Sequence, residues 1–288
     1  MNGNEEFTAE KLKKVISDAY EELPRNQKKI ADFILNAINE AAFLSVVEMG
    51  ERCDVSKATV VRFAQRIGFD GFIEFKNALQ AAVHKKYSYM DRFPLIAEAD
   101  KDTLYKVARQ DVENINQTME SIKLHEFERI INRLRESDTI YTFGKGISAL
   151  MATILAYSLN QVAVKAQTVV SDHLTFEEQL MFIDSKDTLV FFSFPPYSKE
   201  TINAAKLAND RKISVVSITD SQTSPISSYS AHAIIVKSEN LLFTNSFAAI
   251  SVVINAITTE LSVRDKKKTL RFIKEINEMM NKGGHFEV

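Results

Sequence analysis

Apolar and polar positions change rhythm near the middle of this 288-residue chain. Up to about residue 80 the apolar residues recur every three or four positions. Ile30, Phe33, Ile34, Ala37 and Ile38 make one such stripe. Pro24 stands just before it, where a missing N–H costs nothing in a first helical turn. Ser45-Val-Val-Glu48 has capping-box spacing and predicts a short helix to about Arg52. Cys53-Asp54-Val55 then reads as a three-residue turn. Ser56 should cap a third helix, "KATVVRFAQRI", which Gly68 ends, with Phe69 as a hydrophobic latch. Helix, tight turn, helix is the helix-turn-helix arrangement.

The third helix sorts into two faces. Val60, Phe63, Ala64 and Ile67 share a stripe that should meet the domain core. Thr59, Arg62 and Arg66 lie on another, with Lys57 near the start, and residues 55–67 hold three cations and no acid. Hydroxyls and an amine early on suit phosphates and base edges, and guanidiniums follow along the helix. By spacing alone the same pattern also describes an ordinary solvated helix.

From Ala81 to Asp100 the periodicity is lost, Pro94 intervenes, and the stretch reads as a connector. Leu104–Ile122 and Phe127–Leu134 are helical again. From Thr139 short apolar strands alternate with helices: "TIYTF", "VAVKA" near 162, "DTLVFFSF" (187–194), "KISVVSIT" and "AHAIIV". Five such strands predict a parallel sheet covered on both faces. In the flavodoxin-like order 2-1-3-4-5 a ligand crevice opens between strands 1 and 3, beyond their carboxyl ends. Its lips would be Gly144–Ser148 and Ser193–Ser198, with "TDSQTS" (219–224) as a third polar edge.

Composition narrows the class. Hydrophobic content of 45% and charged content of 26% are those of an ordinary globular protein. The N-terminal stretch is polar, unlike a secretory signal, and Ile147–Leu159 and Phe247–Thr259 are too short to span a bilayer. A single cysteine, Cys53, cannot form an internal disulfide, so a reducing cytoplasm is expected, with no membrane partner. Net charge is −2, and residues 1–90 carry 13 Lys/Arg against 13 Asp/Glu, so bulk charge does not mark a nucleic-acid binder. Any case for DNA rests on where the charges lie. No cluster has metal-ligand spacing and no Gly-rich loop fits a nucleotide, so no cofactor is expected.

The stretch "VSKATVVRFAQRIGFDGFIEFK" (Val55–Lys76) resembles the helix-turn-helix signature of the RpiR family of bacterial transcriptional regulators, and "LPRNQKKIADFILN" resembles that family's first helix. The resemblance implies a dimer, or a dimer of dimers, bound to inverted-repeat operators near metabolic genes. Carried over by position, Ser56, Lys57, Thr59, Arg62 and Arg66 are the candidate DNA contacts. The second half resembles a SIS domain over roughly 125–265: "IYTFGKGIS" is similar to its first strand and G-x-G-x-S turn, and "VVSITD" to a later strand end. The expected organisation is an all-α helix-turn-helix domain (1–80), a linker and connecting helix (81–124), and an α/β SIS domain that binds effector and pairs subunits (125–288). Pairing would use the apolar stretch Phe247–Leu261. SIS domains generally bind sugar phosphates, so the effector residues implied are Gly144, Lys145, Gly146, Ser148, Ser193, Ser198 and Thr219.

This chain departs from the SIS pattern at the second turn, usually S-x-S-G-x-T-x-E. Ser193, Ser198 and Glu200 match, but Pro195 and Pro196 stand where the second Ser and the Gly belong. Proline has no N–H and a fixed φ, so two backbone donors and a hydroxyl vanish from an anion cradle. Two readings follow. The effector is a non-phosphorylated or carboxylate-bearing metabolite, or phosphate is held by Ser198, the helix N–H groups and Lys145. The competing function is a sugar-phosphate isomerase, which needs a base over the substrate. The five histidines are scattered; His173 is the one to watch, and Glu200 is available. A DNA-binding domain has no purpose in a plain isomerase, so a regulator is expected rather than an enzyme.

Overall fold

The structure, a computed structural model, describes residues 8–85, 102–170, 173–242 and 244–283. Contacts divide the chain into two compact units after Glu98, with the short segment Thr223–Ser228 grouped with the first.

Among the described residues, five α-helices build the first unit: α1 (Ala9–Ala19), α2 (Arg25–Ala41), α3 (Val46–Arg52), α4 (Lys57–Arg66) and α5 (Phe72–Lys85). The caps fall where the sequence predicts them. Ser45 and Glu48 form a complete capping box on α3, and the Ser56 hydroxyl accepts from the Thr59 N–H. After α4 the chain turns through Gly68 at φ +98°, and the Phe69 N–H donates to the Ala64 carbonyl. Val60, Phe63, Ala64 and Ile67 are buried with Ile30, Ile34, Met49 and Phe75 in one core. Phe75 meets Phe63 edge to face at 5.8 Å. Helix α1, not among the helices expected from sequence, is capped by Thr8 and contributes Leu12 and Ile16 to that core. Helix α5 runs to Lys85, five residues into the expected linker, and the rest of the connector up to Asp100 lies outside the described residues.

The second unit opens with α6 (Thr103–Ser121) and α7 (Leu124–Arg135). Counted with the connector from sequence, α6 packs inside this unit. Its buried Asn114 donates to the Glu239 carbonyl at 2.7 Å, and its Thr118 hydroxyl accepts from the Lys237 N–H. Then follow β1 (Ile140–Phe143), α8 (Ile147–Asn160), β2 (Ala166–Thr168), α9 (Phe176–Leu180), β3 (Thr188–Ser193), α10 (Lys199–Asp210), β4 (Ser214–Thr219), β5 (His232–Ile235), α11 (Ala248–Arg264) and α12 (Lys266–Gly283). The five strands are all parallel in the order 2-1-3-4-5. Central β3 is buried along its whole length, as a strand covered on both faces must be.

Two sequence expectations need correction. The second strand is not "VAVKA" but Ala166–Thr168: Ala163 has φ +63° in a turn, where no strand continues. And most apolar residues of α11 face inward, although Phe247 just ahead of it is exposed. Ala249, Ile250, Val253, Ile254, Ile257 and Leu261 are buried in the unit's own core, among Ile131, Leu155, Phe192 and Ile218. Among the described residues no helix is long and apolar enough to cross a membrane.

Candidate functional site

Two places in the chain carry candidate chemistry, one in each unit. In the first, α4 turns its apolar stripe inward, leaving Ser56, Lys57, Arg62 and Arg66 exposed and Thr59 partly so. The Ser56 and Thr59 hydroxyls lie 2.9 Å apart at the helix start. Arg66 sits at the other end of the helix, and its guanidinium donates to the Glu22 carbonyl at 3.2 Å. The turn between α3 and α4 is clasped from outside: Lys29 of α2 reaches the Asp54 carboxylate at 2.9 Å and its carbonyl at 3.3 Å. That ammonium holds the Asp54 carboxyl below its ordinary carboxylate value. Asp54 itself has φ +51°, a left-handed conformation that Asp tolerates better than most residues. Buried Glu40 pairs with Arg52 at 3.0 Å, tying α2 to α3. Cys53 is buried beside the turn, and burial pushes its thiol up to about 11. It is a packing residue.

In the second unit, the sheet order reverses between β1 and β3, and the turns after these strands stand side by side. Gly144 allows the closest approach there. A Cβ at that position would lie 2.4 Å from the Ser148 carbonyl carbon and oxygen, so strand end and helix start touch through backbone alone. Gly146 has φ +60° and ψ −130°, a conformation essentially reserved for glycine, and no side chain caps the helix α8 that it opens. Ser148 is buried in the first turn of that helix.

The facing lip is filled differently. The peptide between Pro195 and Pro196 is cis; Pro195 is buried, Pro196 is exposed, and the Pro195 carbonyl accepts from the Asn245 side chain at 2.5 Å. The Ser198 hydroxyl caps α10 by accepting from the Thr201 N–H at 3.3 Å. Buried Tyr197 donates its phenol O–H to the Asp220 carboxylate, at 2.9 and 3.1 Å to its two oxygens. Thr219 donates to the Ser193 carbonyl at 2.6 Å. The buried hydroxyls of Ser193 and Thr201 have no hydrogen-bond partner.

An ion pair joins the two lips. Lys145, in the first turn, meets Glu200, in the first turn of α10, at 2.8 Å. Sequence reasoning treated these residues separately, as a possible cation for phosphate and a possible base. Nothing in their spacing of 55 positions signals that they meet. His173 is exposed, just ahead of α9. Thus Gly144, Lys145, Gly146, Ser148, Ser193, Ser198 and Thr219 all fall at the carboxyl ends of β1, β3 and β4 or in the turns and first helical turns that follow. Glu200, Tyr197, Asp220 and Asn245 join them.

Comparison with known proteins accords with this geometry. A model of the SIS domain matches residues 133–260, and one described as the helix-turn-helix domain of the rpiR family matches residues 10–86. The chain is similar to an uncharacterised HTH-type transcriptional regulator of Haemophilus influenzae, 27% identical over 224 residues, or 76% of this chain and 77% of that one. Another uncharacterised HTH-type regulator, from Caldanaerobacter subterraneus, is 21% identical over 271 residues, covering 93% and 96%. Among solved structures, the Vibrio vulnificus NanR protein complexed with ManNAc-6P aligns with a TM-score of 0.63 at 24% identity, over 93% of this chain and 97% of that one. The sugar isomerase domain of an RpiR transcription factor from Sphaerobacter thermophilus aligns at 0.60 and 22% identity, over 62% and 99%. At these identities the structural likeness speaks for the fold.

Proposed function

The chain belongs to the RpiR family of helix-turn-helix transcriptional regulators, and from that premise we propose that it is a cytoplasmic regulator that binds operator DNA through α4 and senses a small metabolite in the crevice between β1 and β3. The observation that carries the reading is the exposed cationic face of α4, Lys57, Arg62 and Arg66, held by a buried stripe and a clasped turn. Ser56 and Thr59 at its start, with Lys57, serve phosphates and base edges; Arg62 and Arg66 follow along the groove. A pair of subunits presents two such helices to successive major grooves, about 34–36 Å apart, so the operator is an inverted repeat. Effector in the crevice shifts the pair between spacings by binding one of them more tightly.

An isomerase reading is disfavoured by the state of its best base. Glu200 is engaged with Lys145 at 2.8 Å. The test is selection of random duplexes with the full-length protein. An inverted repeat with two half-sites one helical turn apart is the expected product, bound less well by Arg62→Ala. No enrichment over non-specific DNA at physiological salt, together with turnover of a sugar phosphate in a coupled assay, would reverse the assignment.

A further inference from the structure

At the amino end of the sheet, opposite the crevice, the second unit holds a cavity of about 610 Å³ between helix α12 and the turn that joins α8 to β2. The Lys165 carbonyl accepts from the Ile140 N–H where β1 begins, which fixes the turn to that end of the sheet. The Thr269 hydroxyl donates to the Val162 carbonyl at 3.3 Å and holds α12 against the turn. The volume lies within the range of small-molecule sites. Helix α8, 14 residues or about 21 Å long, separates the cavity from the Gly144–Ser148 lip.

The walls are of two kinds. Val164 and Phe272, both half-buried, give an apolar floor, and Lys165, Lys267, Lys268 and Arg271 form a cationic rim. The carboxylate in the lining, Glu275, is paired with Arg271 at 2.9 Å. Asp265, just ahead of α12, is paired with Arg135 at 3.2 Å. Among the described residues no carboxylate comes within ion-pair distance of Lys165, Lys267 or Lys268. Nor does the first turn of α12 hold an acid to offset its lysines. Like charges gathered in this way repel one another, and an anion shared between them relieves the repulsion.

Floor and rim together select the ligand. A bare inorganic anion leaves the apolar floor in water, and a neutral ring leaves the lysines unmatched. One phosphate carries about two charges, so three unpaired lysines call for two or three linked phosphates. We infer that the cavity binds a nucleoside di- or triphosphate, with its ring system on Phe272 and Val164 and its phosphates among Lys165, Lys267 and Lys268. No glycine lies in the turn or along the cavity's stretch of α12 to bring backbone N–H groups onto the phosphates, so side-chain ammonium groups hold them alone. Exposed lysines are screened by salt, so affinity falls as ionic strength rises. The site is separate from the crevice and stands however the crevice is used.

The experiment is equilibrium binding by calorimetry on the full-length protein, at low and at physiological salt. The probes are ADP, ATP, GTP, adenosine and pyrophosphate. A nucleotide is expected to bind at least about tenfold more tightly than adenosine or pyrophosphate, and more weakly at the higher salt. Lys165→Glu and Lys268→Glu, both at exposed positions, should each weaken that nucleotide at least about tenfold without moving the melting temperature of the second unit. Phe272→Leu, which keeps an apolar side chain in place, should narrow the nucleotide's advantage over pyrophosphate. Pyrophosphate that binds as tightly as every nucleotide reduces the cavity to a charged patch and overturns the inference. So does nucleotide binding that ignores both lysine changes, or that is lost in Lys145→Ala and therefore belongs to the crevice. Absence of nucleotide binding at low salt overturns it outright.

Discussion

Replacing Gly144 by Ala tests whether the crevice is built on backbone contact between β1 and α8. The added Cβ would lie 2.4 Å from the carbonyl carbon and oxygen of Ser148 and 2.7 Å from the Ala149 nitrogen. Non-bonded carbon atoms rest about 3.5–4.0 Å apart, so more than an ångström must be recovered. All three obstacles are backbone atoms of a helical turn, which cannot rotate aside as a side chain would. The start of α8 has to lift from the strand. That strains the bond from the Thr142 hydroxyl to the Ala152 carbonyl, 2.9 Å long, and the packing of Met151, Ala152 and Leu155. Overpacking of this kind costs about 1–3 kcal/mol, and a rigid obstacle places it near the upper end. In a domain of this size each kcal/mol lowers the melting temperature by about 2–4 °C. The expected fall is therefore about 4–12 °C in the transition of the second unit. Scanning calorimetry of the whole chain reads it, with Gly71→Ala as control. A Cβ on Gly71 meets nothing within 4 Å, so that change should stay within about 0.5 kcal/mol. If Gly144→Ala melts within a degree of the wild type, the close approach is not what the glycine serves.

Phe63 is fully buried against Phe75, so Phe63→Ala should cost the first unit about 3–5 kcal/mol. Its melting transition should move while that of the second unit stays, and DNA binding should fall with the folded fraction. Arg62→Ala should weaken binding to a selected operator by about 1–3 kcal/mol if Arg62 reaches a base edge; a uniform loss across sequences, with a shallower salt slope, would mark a phosphate contact instead. Cys53 should resist alkylation at pH 7 in the folded protein and react on unfolding. Its thiol is raised to about 11 by burial, from an ordinary value of 9.0, so the neutral form is the one the fold stabilises. That contribution is complete below pH 9 and is lost as pH rises through about 11. Rapid labelling of the native protein at neutral pH would refute it.

Sequence alone determined the helix-turn-helix unit and the order of the sheet. Its signals are local: the Ser45–Glu48 box, the Ser56 cap, Gly68 past the helix end, and a stripe from Val60 to Ile67 that can only face inward. The turns that make the crevice were marked by composition too, since glycines at 144 and 146 and prolines at 195 and 196 interrupt otherwise regular elements. Tertiary structure decided the rest. The edge strand β2 buries too little to carry a hydrophobic pattern, so the apolar stretch ahead of it drew the assignment four residues early. Helix α11 is apolar nearly all round, and periodicity cannot say whether such a helix faces a partner or its own sheet. Whether Arg66 is free for DNA or held by the Glu22 carbonyl depends on residues 44 positions apart. The charge of the crevice depends on Lys145 and Glu200, which meet only because β1 and β3 are neighbours in a parallel sheet. Neighbours in such a sheet are far apart along the chain, and a long crossover leaves no trace in local spacing.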